Sequence, residues 1–497
     1  MMPGKVLDRE KEELLEELRE DGASKRSRER SERIARSRIL AQAWIFALDI
    51  SYGMFGTLSS YFLTEVIFDA DDDEKAVGLS TYYMIVWCSC NFLMAPVAGA
   101  ITDVVGRRPI LLIGALTDTL AFPLMAAART PTAVLAGAAC VGCLDCTYNV
   151  CKSIIVDAVM ARQKNARGSP HFCEDLEFGG ARDWWPSRLL YAYAFSVSDD
   201  GKSDVSLALT RELSVLNVIS IFGLLVGVWL GEALALSIGV RWAFAAIGLV
   251  LVPTDLWLAA ALPESLEDAH HPGNRCLGVP TRKTTASVLN PARSARLLLS
   301  SRRTGALVAT YFIGNLGLYG ISSIILYWLE DHFKFSSLQI TAAYFNSIVV
   351  GPFVSLAIVA YGVPCLGYHR SYALAFAVGT AGAVLIATVA TSPLSLFLLV
   401  DVFCVAFAPL PLLVGSIAAD VPYEEQGRIQ GAVYSMSTGA TVLGSIAFLQ
   451  VYDAANGATV VAVVAGLFAA CAVICFLTPE RDPEEAGALS ANKGDGD

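Results

Sequence analysis

The chain has 497 residues, of which 55% are hydrophobic and 17% charged, and its mean hydropathy is +0.53. A soluble domain carries roughly 25% charged residues, so the composition excludes a water-soluble globule and points to the bilayer. The formal net charge of −11 resides largely in tails and loops such as the acidic run 69–74; it says little about partners, and no nucleic-acid partner is expected.

Residues 1–37 read as a charged cytoplasmic N-terminal tail that ends in the basic run 25–33. The tail lacks the basic region and short apolar core of a cleavable signal, so the first membrane helix is expected to be its own insertion signal. It suits either a solvated segment or a partner-binding helix. Beyond it, windows of the roughly 20 residues needed to cross hydrocarbon predict twelve spans: 38–63, 76–102, 109–128, 132–158, 213–236, 240–262, 304–328, 340–361, 371–390, 394–420, 428–452 and 457–478. Two long polar stretches interrupt them. The expected organisation is therefore an N-terminal six-helix bundle, 38–262, with a cytoplasmic loop 161–211, then a cytoplasmic linker 263–303, a C-terminal bundle 304–478, and an acidic cytoplasmic tail 479–497. The loop carries Trp184, Trp185 and Pro186, which suit a docking insertion or an unstructured expansion.

Basic residues set the expected orientation. With the N-terminus inside, 31 of the 36 Lys and Arg fall in cytoplasmic segments, and Lys75, Arg129, Arg241 and Lys334 in the opposite loops. Both termini are then cytoplasmic. Of the 12 cysteines, most lie inside apolar runs, and Cys140, Cys143 and Cys146 are spaced for small-residue helix packing. No metal site is expected. No phosphate-binding glycine loop, nucleophile elbow or metal-ligand spacing occurs in a soluble segment, so neither an enzyme nor a cofactor is expected.

The turn between the second and third spans reads Gly99, Asp103, Gly106, Arg107, Arg108, Pro109, and its counterpart between the eighth and ninth spans keeps a glycine and an arginine but has Pro364 in place of Asp103. That first turn resembles the signature loop of the major facilitator superfamily. Leu48 to Gly53 in span 1, Ile155 to Asp157 ending span 4, Leu262 to Ser265 after span 6 and Glu425 to Gly431 opening span 11 resemble its tetracycline/proton antiporter-like (drug/proton antiporter) branch and that branch's eukaryotic relatives. The sequence departs from that branch in Ala138, where an arginine is expected, and in Val228 and Glu232 within the glycine series Gly223, Gly227 and Gly231. The resemblance implies an all-α integral membrane protein of the major facilitator fold. It further implies a monomeric secondary transporter that moves a small-molecule solute by alternating access, with proton coupling. A facilitative uniporter and a non-transporting receptor or trafficking protein of the same fold are the alternatives. By resemblance, Asp103, Arg107 and Asp157 form a gating cluster with the start of helix 11 near Gly427, in the turn built by Gly99, Gly106 and Arg108.

An ionisable side chain near the bilayer centre costs a few kcal/mol and is a functional candidate by default. Asp49, Asp118, Asp145, Lys152, Asp255 and Asp401 qualify. The facilitator fold lines its cavity with helices 1, 4, 7 and 10, which brings forward Asp49, Asp145 and Asp401 as proton- or substrate-binding groups. Asp49 lies roughly 16 Å into its helix at 1.5 Å per residue, near the midplane; the alternative is a carboxylate held by hydrogen bonds between helices. Asp118 and Asp255 are expected in structural pairing, and Lys152 to snorkel or meet another helix. Asn315 and Tyr319, one turn apart, suit either substrate contacts or interhelical hydrogen bonding.

Overall fold

In the computed structural model of the chain, the residues described are 33, 36–56, 58–59, 62–67, 73–168, 205–263, 291–335, 337–390, 392–422 and 425–479. Most of the N-terminal tail, the core of the 4–5 loop, most of the linker and nearly all of the C-terminal tail lie outside them. Lipid offers backbone groups no hydrogen bonds, so a spanning segment must satisfy its own, and the helix does this within one segment. Twelve helices are long and apolar enough to span a bilayer. They are α1 (Arg36–Gly56), α2 (Asp73–Val105), α3 (Arg107–Ala127), α4 in two segments (Pro131–Leu144 and Thr147–Gly168), α5 (Val205–Ile238) and α6 (Val240–Ala261). The second six are α7 (Arg302–Phe333), α8 (Ser337–Ala357, extended by two short turns to Leu366), α9 (Tyr368–Val389), α10 (Pro393–Cys404, continued by Pro409–Ala419), α11 (Gln426–Ala454) and α12 (Gly457–Leu477). The protein is a multi-pass integral membrane protein. Its lipid-facing surface is apolar, with Trp229, Leu236, Trp242, Leu249 and Phe476 each at least two-thirds exposed.

Two expected boundaries shift. The polar stretch 161–211 is not all loop, because α4 runs on to Gly168 and α5 begins at Val205; hydropathy marks where a helix leaves the lipid, not where it ends. The linker 263–303 likewise contains a short helix, Pro291–Leu298. Helix 4 is also not the single rod expected over 132–158. Its backbone departs from helix at Asp145, with ψ 97°, and Asp145 accepts a hydrogen bond from the backbone N–H of Thr147, as an N-cap does.

Glycines set the helix spacing. Without a side chain, helices approach backbone to backbone, and close dispersion contact replaces the hydrophobic drive that lipid removes. Along α1 and α5, a Cβ on Gly223 would lie 2.6 Å from the Phe46 carbonyl oxygen and one on Gly231 would lie 2.9 Å from Met54 Cα, while Gly227 abuts the Ile50 backbone. The glycine series of α5 thus packs against α1 despite Val228 and Glu232. Between the two halves, Gly99 of α2 meets Gly427 and Gly431 of α11, and the Ser435 hydroxyl of α11 donates to the Phe92 carbonyl at 2.6 Å. On the other flank, a Cβ on Gly415 of α10 would lie 2.8 Å from Thr210 Cα of α5. These contacts run from mid-membrane to the end that carries Asp103, hereafter the charged end. At the matching turns before α3 and α9, Gly106 has φ 109° and Gly367 φ 83°, a region that side chains disfavour; the internal repeat survives there in the backbone.

A β-branched side chain at Gly227 must displace the Ile50 backbone, and overpacking of this kind costs about 1–3 kcal/mol or more. Gly227→Val is expected to lower the melting temperature of the detergent-purified protein by several degrees. Gly466→Ala, where a Cβ meets nothing within 4 Å, serves as the neutral control.

Candidate functional site

Two polar assemblies stand out in an otherwise apolar bundle. The first closes the charged end. Arg107 opens α3 with its side chain fully buried, and a buried guanidinium must be met by charge and hydrogen bonds on every face. Its Nε donates to Asp157 of α4 at 3.1 Å, and its Nη1 donates to Asp103 of α2 and, at 2.8 Å, to the Thr102 hydroxyl. Asp103 is shared across the two halves. Its Oδ1 accepts from the backbone N–H of Gly427 and its Oδ2 from that of Arg428, both at 2.8 Å. These are among the first N–H groups of α11, which have no partner within the helix and carry the positive end of its dipole. A Cβ on Gly427 would overlap Arg107, Thr102 and Asp103 together, so the approach needs glycine at that position.

The second assembly lies at mid-membrane. Asp49 of α1 stands beside Ser220 and Gly223 of α5, and its Oδ2 is buried without a hydrogen-bond partner. One turn further, the Tyr52 hydroxyl lies 3.1 Å from Asp145 Oδ2 and 3.4 Å from Asp118 Oδ1, and the Thr147 hydroxyl donates to Asp118 Oδ2 at 2.8 Å. A single phenol thus bridges two buried carboxylates at the break in α4. Carboxylates take up and release protons, and two that share one hydroxyl form a short path for a proton. Tyr148 of α4 and Tyr434 of α11 face each other with ring centroids 6.5 Å apart. Tyr311 and Tyr319 of α7 lie within electrostatic reach of Tyr148, as Tyr319 does of Tyr434. Four phenols from three helices and both halves therefore lie near one another at mid-membrane.

The structure brings Gly99, Asp103, Arg107, Asp157 and Gly427 into one cluster. Gly106 supplies the turn, and Arg108 points elsewhere, donating to the Ala259 carbonyl of α6 at 2.6 Å. Asp49 and Asp145 share the mid-membrane region of the N-terminal half. Asp401 is joined instead to α8, where Asn346 donates to it. Asn315 is engaged between helices: its amide nitrogen donates to the Tyr311 carbonyl at 2.7 Å and its oxygen accepts from Ser437 of α11 at 3.1 Å. Tyr319 belongs to the ring of phenols. Asp255 accepts from Thr119, the pairing expected of it. Asp118 is paired as well, accepting from the Thr147 hydroxyl of α4 and lying against the Tyr52 hydroxyl of α1, which brings it beside Asp145. The Lys152 ammonium sits over the Tyr148 ring of its own helix, 4.4 Å from the centroid. Asp118, Tyr52 and Tyr434 were not singled out as site residues from sequence. The available signal was the mid-span position of Asp118 and the i, i+3 spacing of Asp49 and Tyr52. Among the described residues, no group of three His, Cys, Asp or Glu is placed to hold a metal ion.

Comparison with solved structures places this architecture. The human organic anion transporter MFSD10 (TETRAN) superposes with a TM-score of 0.64 at 19% identity, covering 89% of this chain and 99% of that one. The proton:xylose symporter XylE, of the major facilitator superfamily, gives 0.60 at 14% identity over 92% and 99%. The E. coli fucose:proton symporter FucP gives 0.58 at 13% identity over 89% and 98%. The chain has the major facilitator fold. In sequence, the class G tetracycline resistance protein of Vibrio anguillarum is 22% identical over 394 residues, covering 78% of this chain and 83% of that protein. No protein-family model matches the chain. Within the facilitator fold, the Asp103 cluster lies where the two halves meet at the charged end, and the carboxylates and phenols lie above it at mid-membrane.

A hydrogen bond to a charged group contributes about 1.5–3 kcal/mol, and Asp103 makes two such bonds to α11. Asp103→Asn keeps the shape and removes the charge, so the conformer closed at the charged end is expected to lose about tenfold to a hundredfold in relative population. Spin-label distances between the charged ends of α3 and α9 should then gain a longer component; an unchanged distribution would show that this carboxylate does not hold the halves together.

Proposed function

We propose that the protein is a secondary transporter that moves a small organic solute through the membrane by alternating access, coupled to protons. The observation that carries this reading is the Asp103 contact with the N-terminus of α11. It joins the two six-helix halves at one end through a carboxylate shared with a helix N-terminus and through close glycine packing, contacts that can be broken and remade. A two-state carrier needs such a contact in one of its states. The buried carboxylates are the coupling groups in this reading: Asp49 first, because one of its oxygens lacks a partner, with Asp145 and Asp118 bridged by Tyr52 beside it. Tyr319 and the facing Tyr148 and Tyr434 contact the solute, Asp401 remains a second carboxylate in the C-terminal half, and Asn315 positions α7 against α11. The names of FucP and XylE as proton symporters, and of MFSD10 as an organic anion transporter, support transport and proton coupling by analogy of fold. In this reading the bundles 38–262 and 304–478 are the two moving bodies, and the distribution of basic residues supports a cytoplasmic position for the charged end and both termini. We take the working unit to be a monomer.

Asp49→Asn tests the coupling. The amide matches a protonated acid in size and in hydrogen bonding but cannot exchange its proton. In proteoliposomes, the variant is expected to lose solute accumulation driven by a pH gradient, by about tenfold or more, while downhill exchange persists. Unchanged gradient-driven accumulation would move the role to Asp145 or Asp401. Wild-type flux that ignores the gradient would make the protein a uniporter, and the absence of any flux would favour a non-transporting role.

A further inference from the structure

The second segment of α4 carries one cation inside the bundle, Lys152, that has no counter-charge among the described residues. From Asp145 through Val159, Tyr148 and Lys152 are the two residues that keep partial exposure, and every other side chain is buried. Four residues apart, they share one helix face, and the Tyr148 ring on that face looks across to Tyr434 of the other half. The face is therefore turned toward the other half. Lys152 rests on the Tyr148 ring, and among the described residues no carboxylate forms an ion pair with it or exerts an electrostatic pull on it. Asp145, on its own helix, is taken by Tyr52 and the Thr147 backbone, and Asp157 by Arg107. Asn149, three residues before Lys152, is 2% exposed, and neither its amide oxygen nor its amide nitrogen has a hydrogen-bond partner among the described residues.

An ammonium partly withdrawn from water loses solvation, and a cation–π contact restores only part of it. The remaining deficit is what an anion on that face would remove. A carboxylate fits best: the ammonium supplies the charge, the unpaired Asn149 amide a second donor, and the tyrosine faces stack on an aromatic or apolar body. We propose that Lys152 and Asn149 form the recognition site for the carboxylate of an organic anion, with Tyr148 and Tyr434 against its apolar part. This deepens the transport reading, on which it rests for the claim that the bound anion is the solute.

The probes are benzoate and salicylate against their uncharged amides, benzamide and salicylamide, read as thermal stabilisation of the full-length protein purified in detergent. The carboxylates are expected to raise the melting temperature saturably and the amides to leave it unchanged. Lys152→Gln is expected to weaken carboxylate binding by about tenfold or more, Lys152→Arg to retain most of it, and Asn149→Ala to weaken it less than Lys152→Gln. If Lys152→Gln does not fold, the acid-to-amide comparison on the native chain and the Asn149→Ala variant decide the matter. Acids and amides acting alike, no stabilisation by either acid, or full acid selectivity in Lys152→Gln would each overturn the site. Because binding is read without a gradient, the two proposals can fail separately. Acid binding with no uptake in proteoliposomes leaves the Lys152 site standing and removes transport. Gradient-driven uptake of a neutral solute that is indifferent to Lys152→Gln does the reverse.

Discussion

A carboxylate from one half of the molecule satisfies the free N–H groups at the start of a helix in the other, and much of the structure serves that contact. Asp103 can reach Gly427 and Arg428 because α2 and α11 pack through Gly99, Gly427 and Gly431 rather than through side chains. The same carboxylate lies against Arg107, which is wholly buried and also bonded to Asp157. A buried guanidinium is tolerated only when charges and hydrogen bonds surround it. Removing any one of the three groups leaves an uncompensated charge at the junction of α2, α3, α4 and α11. The interaction is thus both an interface and a constraint on four helices.

The break in α4 gives this cluster a second connection. Asp145, Tyr148, Asn149 and Lys152 lie at or just beyond the break, and Asp157 lies twelve residues past Asp145, about 18 Å along a helix at 1.5 Å per residue. One rigid segment therefore links the mid-membrane groups to the cluster at the charged end. At its upper end the segment is held by the bridge from Tyr52 to Asp145 and Asp118, and at its lower end by the ion pair with Arg107. The mid-membrane groups and Asp157 are parts of the same rod, so a rigid-body displacement of the segment moves them together.

The two halves share a fold and divide its work unequally. In the C-terminal half the turn equivalent to the Asp103 turn has Pro364 at the acidic position, and Asp420 at the end of α10 is paired with Arg303 of α7 inside that half. The contact on that flank is made by Gly415 against Thr210, with the Tyr372 hydroxyl bonded to Ser416 nearby at 3.1 Å. Its interior includes an apolar recess lined by residues such as Trp328, Phe403 and Phe407. Most of the buried polar groups that could act on a solute or a proton lie in the N-terminal half.

The sequence by itself determined the membrane class, the number of spans, the two-halves pattern and the residues of the Asp103 cluster. These are local properties: hydropathy over about 20 residues reports the cost of placing a segment in lipid, and the turn from Gly99 to Pro109 carries its own pattern. Asp49 and Asp145 were also legible as costly mid-span charges. Tertiary structure alone decided which of those charges meet. Tyr52 is 66 residues from Asp118 and 93 from Asp145, and whether its hydroxyl reaches them depends on how α1 is rotated against α3 and α4. The rotation is set by glycine contacts on α5, far away in the chain. Likewise the sequence read α4 as one apolar run, because no proline marks Asp145, and the break became visible only where the carboxyl caps the second segment. The solitude of Lys152 has the same origin: a sequence shows that a cation is present, while the absence of a counter-charge is a property of all the helices packed around it.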